Sequence, residues 1–566
     1  MKQIIPAAVF LLGASMVHAQ LKIDNATFFI QSGATVTVQG DVTSNVDIQG
    51  TGLLLLKGSS LQNVDMGGFT IPNLELDNTS NATLLNTHAR IGSSFLFTNG
   101  KFLTGNLNLT LGSSAAVTGN SSAKFFQING TGQLKKELAA NITAFELPVG
   151  ENNNYRPAYL TTSGSSFSSA SVGVRVIGTA DPLKPPTTAS HLKTSWPVTR
   201  TGITGGTVTL EGQYLDPTDV TGTETNIVGY FNNGTDWSST GEAHNTTTNR
   251  ISAPVTAAAG SVSGINKFIA VGSKAFLQGA YQSPITTAGL MNDNLRTLPF
   301  GPASSTSNFP QDDPYRQAPY STTFTHVNNS NTETIPSSSV MGPQSNTANN
   351  IVDWVFLQLR NTAASPGNTV LQTRSALLQR DGDIVDVDGV SPVTFNNIAD
   401  GNYILTVRHR NHLGLSLDQS APKNFTETQS LAGTAGRIAD LTAASDADLF
   451  GTSTAFTSLS LPGPVTVKAL WGGNANVTTV AAAGGLKYVT PNSDNAQILG
   501  QVLAFPGNVS GLFNYGSAVG YFSGDINMNR TVKYTAPAAD GAIILSNILS
   551  LSTLFNYGGL SQQIPN

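Results

Sequence analysis

The 566-residue chain contains no cysteine. No disulfide can staple it, thiolate metal sites are excluded, and stability has to come from large regular cores or bound ions. Charge is also scarce. Asp, Glu, Lys and Arg make up 11 % of the residues, against a usual quarter. A net charge of −5 excludes a strongly basic nucleic-acid surface, so no nucleic-acid partner is expected. Beyond the first twenty residues no apolar run reaches about eighteen residues, so no transmembrane segment is expected. In place of the good helix formers Glu and Lys stand Gly, Ser, Thr and Asn, which favours β structure with a neutral surface rich in amides and hydroxyls.

The chain opens "MKQIIPAAVFLLGASMVHAQ". Lys2 supplies a basic start, residues 4–17 an apolar stretch, and Val17, His18 and Ala19 a small-x-small cleavage site before Gln20. This order predicts a secretory signal peptide over 1–19 and a secreted protein, extracellular or at the outer cell surface.

From 20 to 148, short apolar alternations recur between Gly, Asn and Ser punctuation, as in "GATVTVQGDVT" (33–43) and "LNLTLGSSAAVTGN" (107–120). Runs of four to seven residues with ladder-like breaks predict a β-solenoid. Residues 149–275 alternate around embedded aromatics and predict a β-sandwich. The stretch 276–350 is rich in Pro, Ser and Asn and reads as an extended connection. A second sandwich, of immunoglobulin or prealbumin type, is expected over 351–469, starting abruptly at "IVDWVFLQLR". The predicted fold is mainly β, ending in a small duplicated loop-helix module.

That module covers 470–566. "LKYVTPNSDNAQILGQVL" (486–503) aligns without a gap with "VKYTAPAADGAIILSNIL" (532–549), and each copy is followed by "LFNYG". The shared positions are the ones that pack. Lys487, Lys533, Tyr488 and Tyr534 are expected to clamp the units by stems and rings, with Asp494 and Asp540 near the start of each following helix.

The order of blocks resembles secreted hemagglutinin-like or adhesin-like surface proteins common in Bacteroidota. The resemblance rests on 145–150 with Tyr155, Arg156 and Pro157, on "GITGGT" (202–207), on 353–360, and on 376–389 with "RHRNHLG" (408–414). Such proteins end in paired loops of the form GDxNxDGxVKYxGxxND. The resemblance implies a surface or matrix protein with a calcium-supported, dockerin-like tail. The loops here are degenerate. Asn474 and Asn476 stand in for acids in the first, and Asn529 and Arg530 replace Asp and Gly in the second. The expectation is at most one weakly held Ca²⁺, at Asp525, Asn527, Asn529 and Asp540, in a fold that persists without it.

Other clusters have plainer readings. Asp381, Asp383, Asp386 and Asp388 in "DGDIVDVDG" include two Asp-Gly pairs, the usual hairpin turn, which outweighs a calcium reading. His409 and His412 are three apart, which on one strand places them on opposite faces, so a polar network around Arg408 and Arg410 is favoured over zinc. The N-x-S/T triplets at Asn25, Asn78, Asn81, Asn108, Asn129 and Asn233 fit a composition rich in those residues. No nucleophile-elbow, zincin, dinucleotide or phosphate-loop motif occurs. The solenoid acids (Asp24, Asp41, Asp47, Asp65, Glu75, Asp77, Glu137, Glu146) sit at turn-like positions rather than as a catalytic pair. The expected function is therefore structural or adhesive and non-catalytic. Its partners would be surface glycans, other surface proteins or copies of itself. The alternatives are a carbohydrate-active or carbohydrate-binding solenoid and a dockerin-like scaffold component.

Overall fold

The computed structural model describes residues 20–565, apart from 186–187, 235–236, 240–243, 283–288, 331, 364–367, 427–437, 463–464, 478–483, 490–491 and 554–559. The expected signal peptide and the second "LFNYG" lie outside the described residues. The fold is mainly β, and the chain forms two compact units, one built mainly from residues up to Ile265 and one from Asn266 onward.

The first unit begins as a β-solenoid of about six turns. Its strands stack parallel and in register. Val36 pairs with Leu54, Leu54 with Leu74 and Leu74 with Phe95, so each rung returns after about twenty residues. A second parallel ladder runs from Leu21–Ile23 through Val42–Ser44, Gln62–Asp65 and Ala82–Leu84 to Phe102–Leu103 and Phe126–Gln127. Strict alternation decides which side chains enter. In Leu53–Leu56, Leu54 and Leu56 are buried while Leu53 and Leu55 are half-buried. The interior is closed by rings: Phe126 lies 4.8 Å from Phe95 and 4.9 Å from Phe97, both edge-on.

The expected boundary at 148 is crossed by a continuous sheet. Leu134–Leu138, the last rung strand, pairs parallel with Leu109–Leu111 on one side and antiparallel with Ser166–Val174 on the other. From there the sheet continues through His191–Thr204 to Ala259–Asn266. A second sheet, from Phe145–Leu147 through Ala158–Ser163 and Thr207–Gln213 to Arg250–Pro254, completes the sandwich. Solenoid and sandwich share one hydrophobic core.

In the second unit Ile351–Arg360 is the central strand, buried along all ten residues and flanked by Val370–Gln379 and Gly401–His409. Phe268–Lys274, read from sequence as the end of the first sandwich, pairs here with Val393–Asn396 and Asp383–Val385. The stretch 276–350 is not a free connection. Its 3₁₀ turns carry Leu295, Tyr315, Tyr320 and Met341 into the same core as Trp354 and Phe356. Pro and Ser set the irregular backbone there, but the apolar residues spaced between them do the packing. Two eleven-residue helices, Asp494–Ala504 and Gly541–Leu551, follow the two tail loops as the duplication predicts.

Because Phe126 touches Phe95, Phe97 and Phe102 at full burial, Phe126→Ala is expected to cost the first unit about 3–5 kcal/mol. Hydrogen exchange of the Thr70–Asp77 and Leu109–Leu111 amides reads that loss; unchanged protection there would show that the ring cluster does not carry the solenoid.

Candidate metal loops and the buried ion-pair network

The two tail loops close in the same way. Asp494 accepts from the Asn476 amide through Oδ1 and from the Lys487 amide through Oδ2, both at 2.8 Å. Asp540 accepts from the Ile526 amide at 2.9 Å and the Lys533 amide at 2.8 Å. In each copy the aspartate amide in turn donates to the lysine carbonyl, at 2.9 and 3.0 Å. The shared Asp is therefore a staple that ties the loop to the start of its helix. It is not a helix cap: Ser493 caps the first helix at Ala496, and Asp540 makes no capping bond to the second. The lysines serve through their backbone amides, while Tyr488 and Tyr534 pack against the tail core.

The second loop carries more oxygen. Asp525 accepts from the amides of Asn529 at 3.0 Å and Arg530 at 2.7 Å, Asn527 from Asn529 at 3.1 Å, and Asn529 from Thr531 at 2.9 Å. The loop thus folds on its own side-chain-to-backbone bonds. Asp525 and Asp540 are both fully buried. Burial pushes Asp525 up to about 7. Burial and then the neighbouring Asp525 hold Asp540 well above the usual carboxylate range. Asp494, alone in its loop, is also pushed up to about 7 by burial. The second loop thus holds two buried carboxylates close enough to repel, where the first holds one, and the oxygens of both are taken by backbone amides.

Both loops attach to a charged centre that sequence reasoning found only in part. Asp353 sits fully buried in the central strand. Its carboxylate accepts from Tyr521 Oη at 2.6 Å, Arg410 Nε at 2.8 Å and the Trp354 amide at 2.8 Å, and meets His409 Nε2 at 3.0 Å. Burial alone would raise Asp353; Arg410 and His409 outweigh it and hold the group below its usual value. Burial opposes the charge on Arg410, which is stacked over the Tyr521 ring at 4.3 Å, but Asp353 outweighs it and holds the group above its usual value.

His409 and His412 do not face opposite ways. Arg410 and Asn411 form a tight turn between two strands, so the histidines pair across it with their Nδ1 atoms 3.0 Å apart. The Gly279 amide donates to His412 Nε2 at 3.0 Å, which leaves the His412 proton on Nδ1, and the Asp353 contact places the His409 proton on Nε2. Both rings are neutral, in keeping with burial driving both below the ordinary histidine value. The chain runs close here: a Cβ on Gly279 would lie 1.8 Å from the Ile526 carbonyl. Asn411 joins both copies, its carbonyl accepting from Gly473 and Asn474 and its side chain donating to the Asp525 carbonyl at 2.7 Å.

The acidic stretch 381–389 resolves into turns and ion pairs. Gly382 and Gly389 take positive φ, Asp383 pairs with Lys274 at 2.8 Å, and Asp386 pairs with Arg374 at 3.0 Å. A further group, Asp313, His326 and Glu333, brings metal-ligating atoms within 4.8 Å of one another. It lies in the stretch read as a connection, where three polar residues far apart in an irregular sequence give no spacing to recognise.

Comparisons with known protein families, with curated proteins and with solved structures return no match.

Arg410→Met strands the Asp353 charge and is expected to cost the second unit about 3–5 kcal/mol, with much of it recovered in Arg410→Met/Asp353→Leu. Denaturant melts of the two variants check this, and equal losses in both would show that the pair does not act as a unit.

Proposed function

We propose that the protein is an exported, non-catalytic structural or adhesive component of a cell surface or extracellular matrix, acting on surface glycans, other surface proteins or copies of itself. One observation carries the reading: the solenoid spends its carboxylates on holding its own rungs together. Asp24 bonds Asn45, Asp41 bonds Asn63, Asp65 bonds Asn86 and Thr87, and Glu75 bonds Thr98. Asp77 takes Lys57 and Asn99, Glu137 takes Arg90, and Glu146 takes Asn120 and Tyr155. Asp47 receives the Thr70 amide. A glycosidase or lyase needs a carboxylate free to move a proton; a rod needs cross-rung ties. The resemblance to surface adhesins agrees with this assignment, as does a neutral surface poor in charge.

The dockerin-like alternative has its own support in the tail, where Leu503, Val509, Leu512, Phe513, Leu549 and Leu551 are all exposed. Exposed apolar side chains concentrated in the tail suit a docking face.

Within the tail, the second loop is the calcium candidate, with Asp525, Asn527, Asn529 and Asp540 as its donors. The loop keeps its staple without the ion, so Asp540→Ala is expected to destabilise the second unit by about 2–4 kcal/mol even in chelator. Calcium binds the ionised pair. With the carboxylates raised, binding displaces protons, and affinity is expected to fall as pH drops below 7 and to rise above it. Titration calorimetry at pH 6 and 8 reads the sign. Unfolding of the intact chain in chelator, rescued by calcium, would show the loop to depend on metal.

For the function itself, the purified chain is expected to form ordered assemblies or to bind glycan-coated surfaces in electron microscopy and adhesion assays, with and without calcium. Turnover of a polysaccharide, abolished by one carboxylate substitution, would overturn the non-catalytic reading.

A further inference from the structure

Three side chains in the second unit converge on an empty point. Asp313 is fully buried and Glu333 is 2 % exposed. One oxygen of each carboxylate is committed. Asp313 Oδ1 accepts from the Tyr315 amide at 2.9 Å, and Glu333 Oε1 accepts from Asn329 Nδ2 at 2.6 Å and Arg374 Nε at 2.8 Å. The other oxygens, Asp313 Oδ2 and Glu333 Oε2, accept no hydrogen bond, and neither does His326 Nε2 make one. Those three atoms are the ones that lie within 4.8 Å of each other.

The His326 contact is the telling one. Its Nε2 is 3.0 Å from Asp313 Oδ2, near enough for a strong bond, yet the two are not aligned as donor and acceptor. The ring is held edge-on to Phe356 at 5.0 Å, and Nδ1 lies 3.4 Å from the Thr373 hydroxyl. With the proton on Nδ1, the Nε2 lone pair is left unshared beside the carboxylate. Two lone pairs then face a third acceptor, Glu333 Oε2, in a buried space, which is unfavourable unless a cation sits between them.

We propose that Asp313, His326 and Glu333 bind a first-row divalent transition-metal ion, with zinc the fitting probe. One imidazole and two carboxylate oxygens form a mixed nitrogen and oxygen set that calcium does not favour and zinc or manganese does. Zinc at roughly 2.0–2.2 Å from each ligand requires ligand atoms about 3.3–3.6 Å apart, within the span observed. Arg374 and the Tyr315 amide play the supporting part, fixing each carboxylate through the oxygen that does not face the ion.

Arg316 is the competitor. Its Nε lies 3.3 Å from Asp313 Oδ2 and its Nη2 lies 3.7 Å from Glu333 Oε2, with the side chain 20 % exposed. The guanidinium supplies positive charge to the same two oxygens from the solvent side, so the ion enters as it swings away. Bound there, the ion would tie the irregular 313–333 segment to the residues beside Phe356 and Arg374, a cross-link of the kind a chain without cysteine cannot make with sulfur.

The test uses the full-length chain, freed of metal by chelator and titrated with zinc. Calorimetry and metal analysis are expected to give one equivalent bound at micromolar zinc, with a rise in melting temperature. His326→Gln and Glu333→Gln should each weaken binding about a hundredfold or more, Asp525→Asn should leave it unchanged, and millimolar calcium should not compete. Arg316→Gln keeps every ligand and removes the competitor, so it should tighten binding about tenfold. It also decides the matter if the ligand variants fail to fold. No uptake by either the wild type or Arg316→Gln, or uptake that His326→Gln leaves intact, would overturn the site.

Discussion

A single ionised carboxylate in the middle of a wholly buried strand is the constraint around which the second unit is organised. Asp353 lies among Ile351, Val352, Trp354 and Val355, all buried. A charge there costs several kcal/mol unless its lone pairs are filled. The partners that fill them come from distant parts of the chain: Arg410 and His409 from a hairpin turn, Tyr521 from the tail. Arg410 then bonds the Phe522 carbonyl, and Asn411 reaches both loops. The tail is therefore part of the unit that Asp353 organises, which is why 470–566 does not stand as a separate module. The neutral histidine pair follows from the same logic, because a second cation beside Arg410 would exceed the one negative charge available.

The first unit meets the shortage of charge differently. In its solenoid the acids are tied to amides, hydroxyls or cations on other rungs, and the hydrophobic core is built of Leu, Val, Ile and Phe, while the sandwich buries one matched pair, Arg156 with Asp219 at 2.6 Å. Short bonds repeated at the rung spacing stabilise a stack because every rung helps fix the register of the next. Asn and Thr are well suited to that work, since they bond across rungs without the desolvation cost or repulsion of a row of like charges. The composition that looks unspecialised in sequence is the one such a stack needs.

Much of this was legible from residues. Alternating runs with Gly and Asn breaks gave the solenoid, the gapless duplication gave two loop-helix units, and the Asp-Gly pairs gave turns. Three features were not. The sheet that joins the solenoid to the sandwich depends on Leu134–Leu138 pairing with Ser166–Val174 across four intervening strands, and local pattern does not report pairing partners. The packing of 276–350 was hidden by its Pro and Ser content, although Leu295, Tyr315 and Tyr320 stood in plain view. Reading His409 and His412 as residues of one strand missed the turn at Arg410 and Asn411, and with it their contact. Asp353 was the available signal: a lone acid inside "IVDWVFLQLR" has to be paired with something.

The two tail copies separate what folding requires from what a ligand would require. Each uses one aspartate in the same way, with one oxygen on the incoming loop and the other on the lysine amide, and Asp494 does this with no second carboxylate beside it. The staple is thus sufficient to form the loop. Asp525 adds a second buried carboxylate next to Asp540, raising the energy of the ionised pair, while its two oxygens accept separately from Asn529 and Arg530 and shape a turn that a single amide oxygen could not. The second copy thus carries a buried carboxylate pair whose ionisation is opposed by burial and by mutual repulsion, where the first carries one buried carboxylate. The first loop, closed by the same staple without that pair, serves as the internal control within the same molecule.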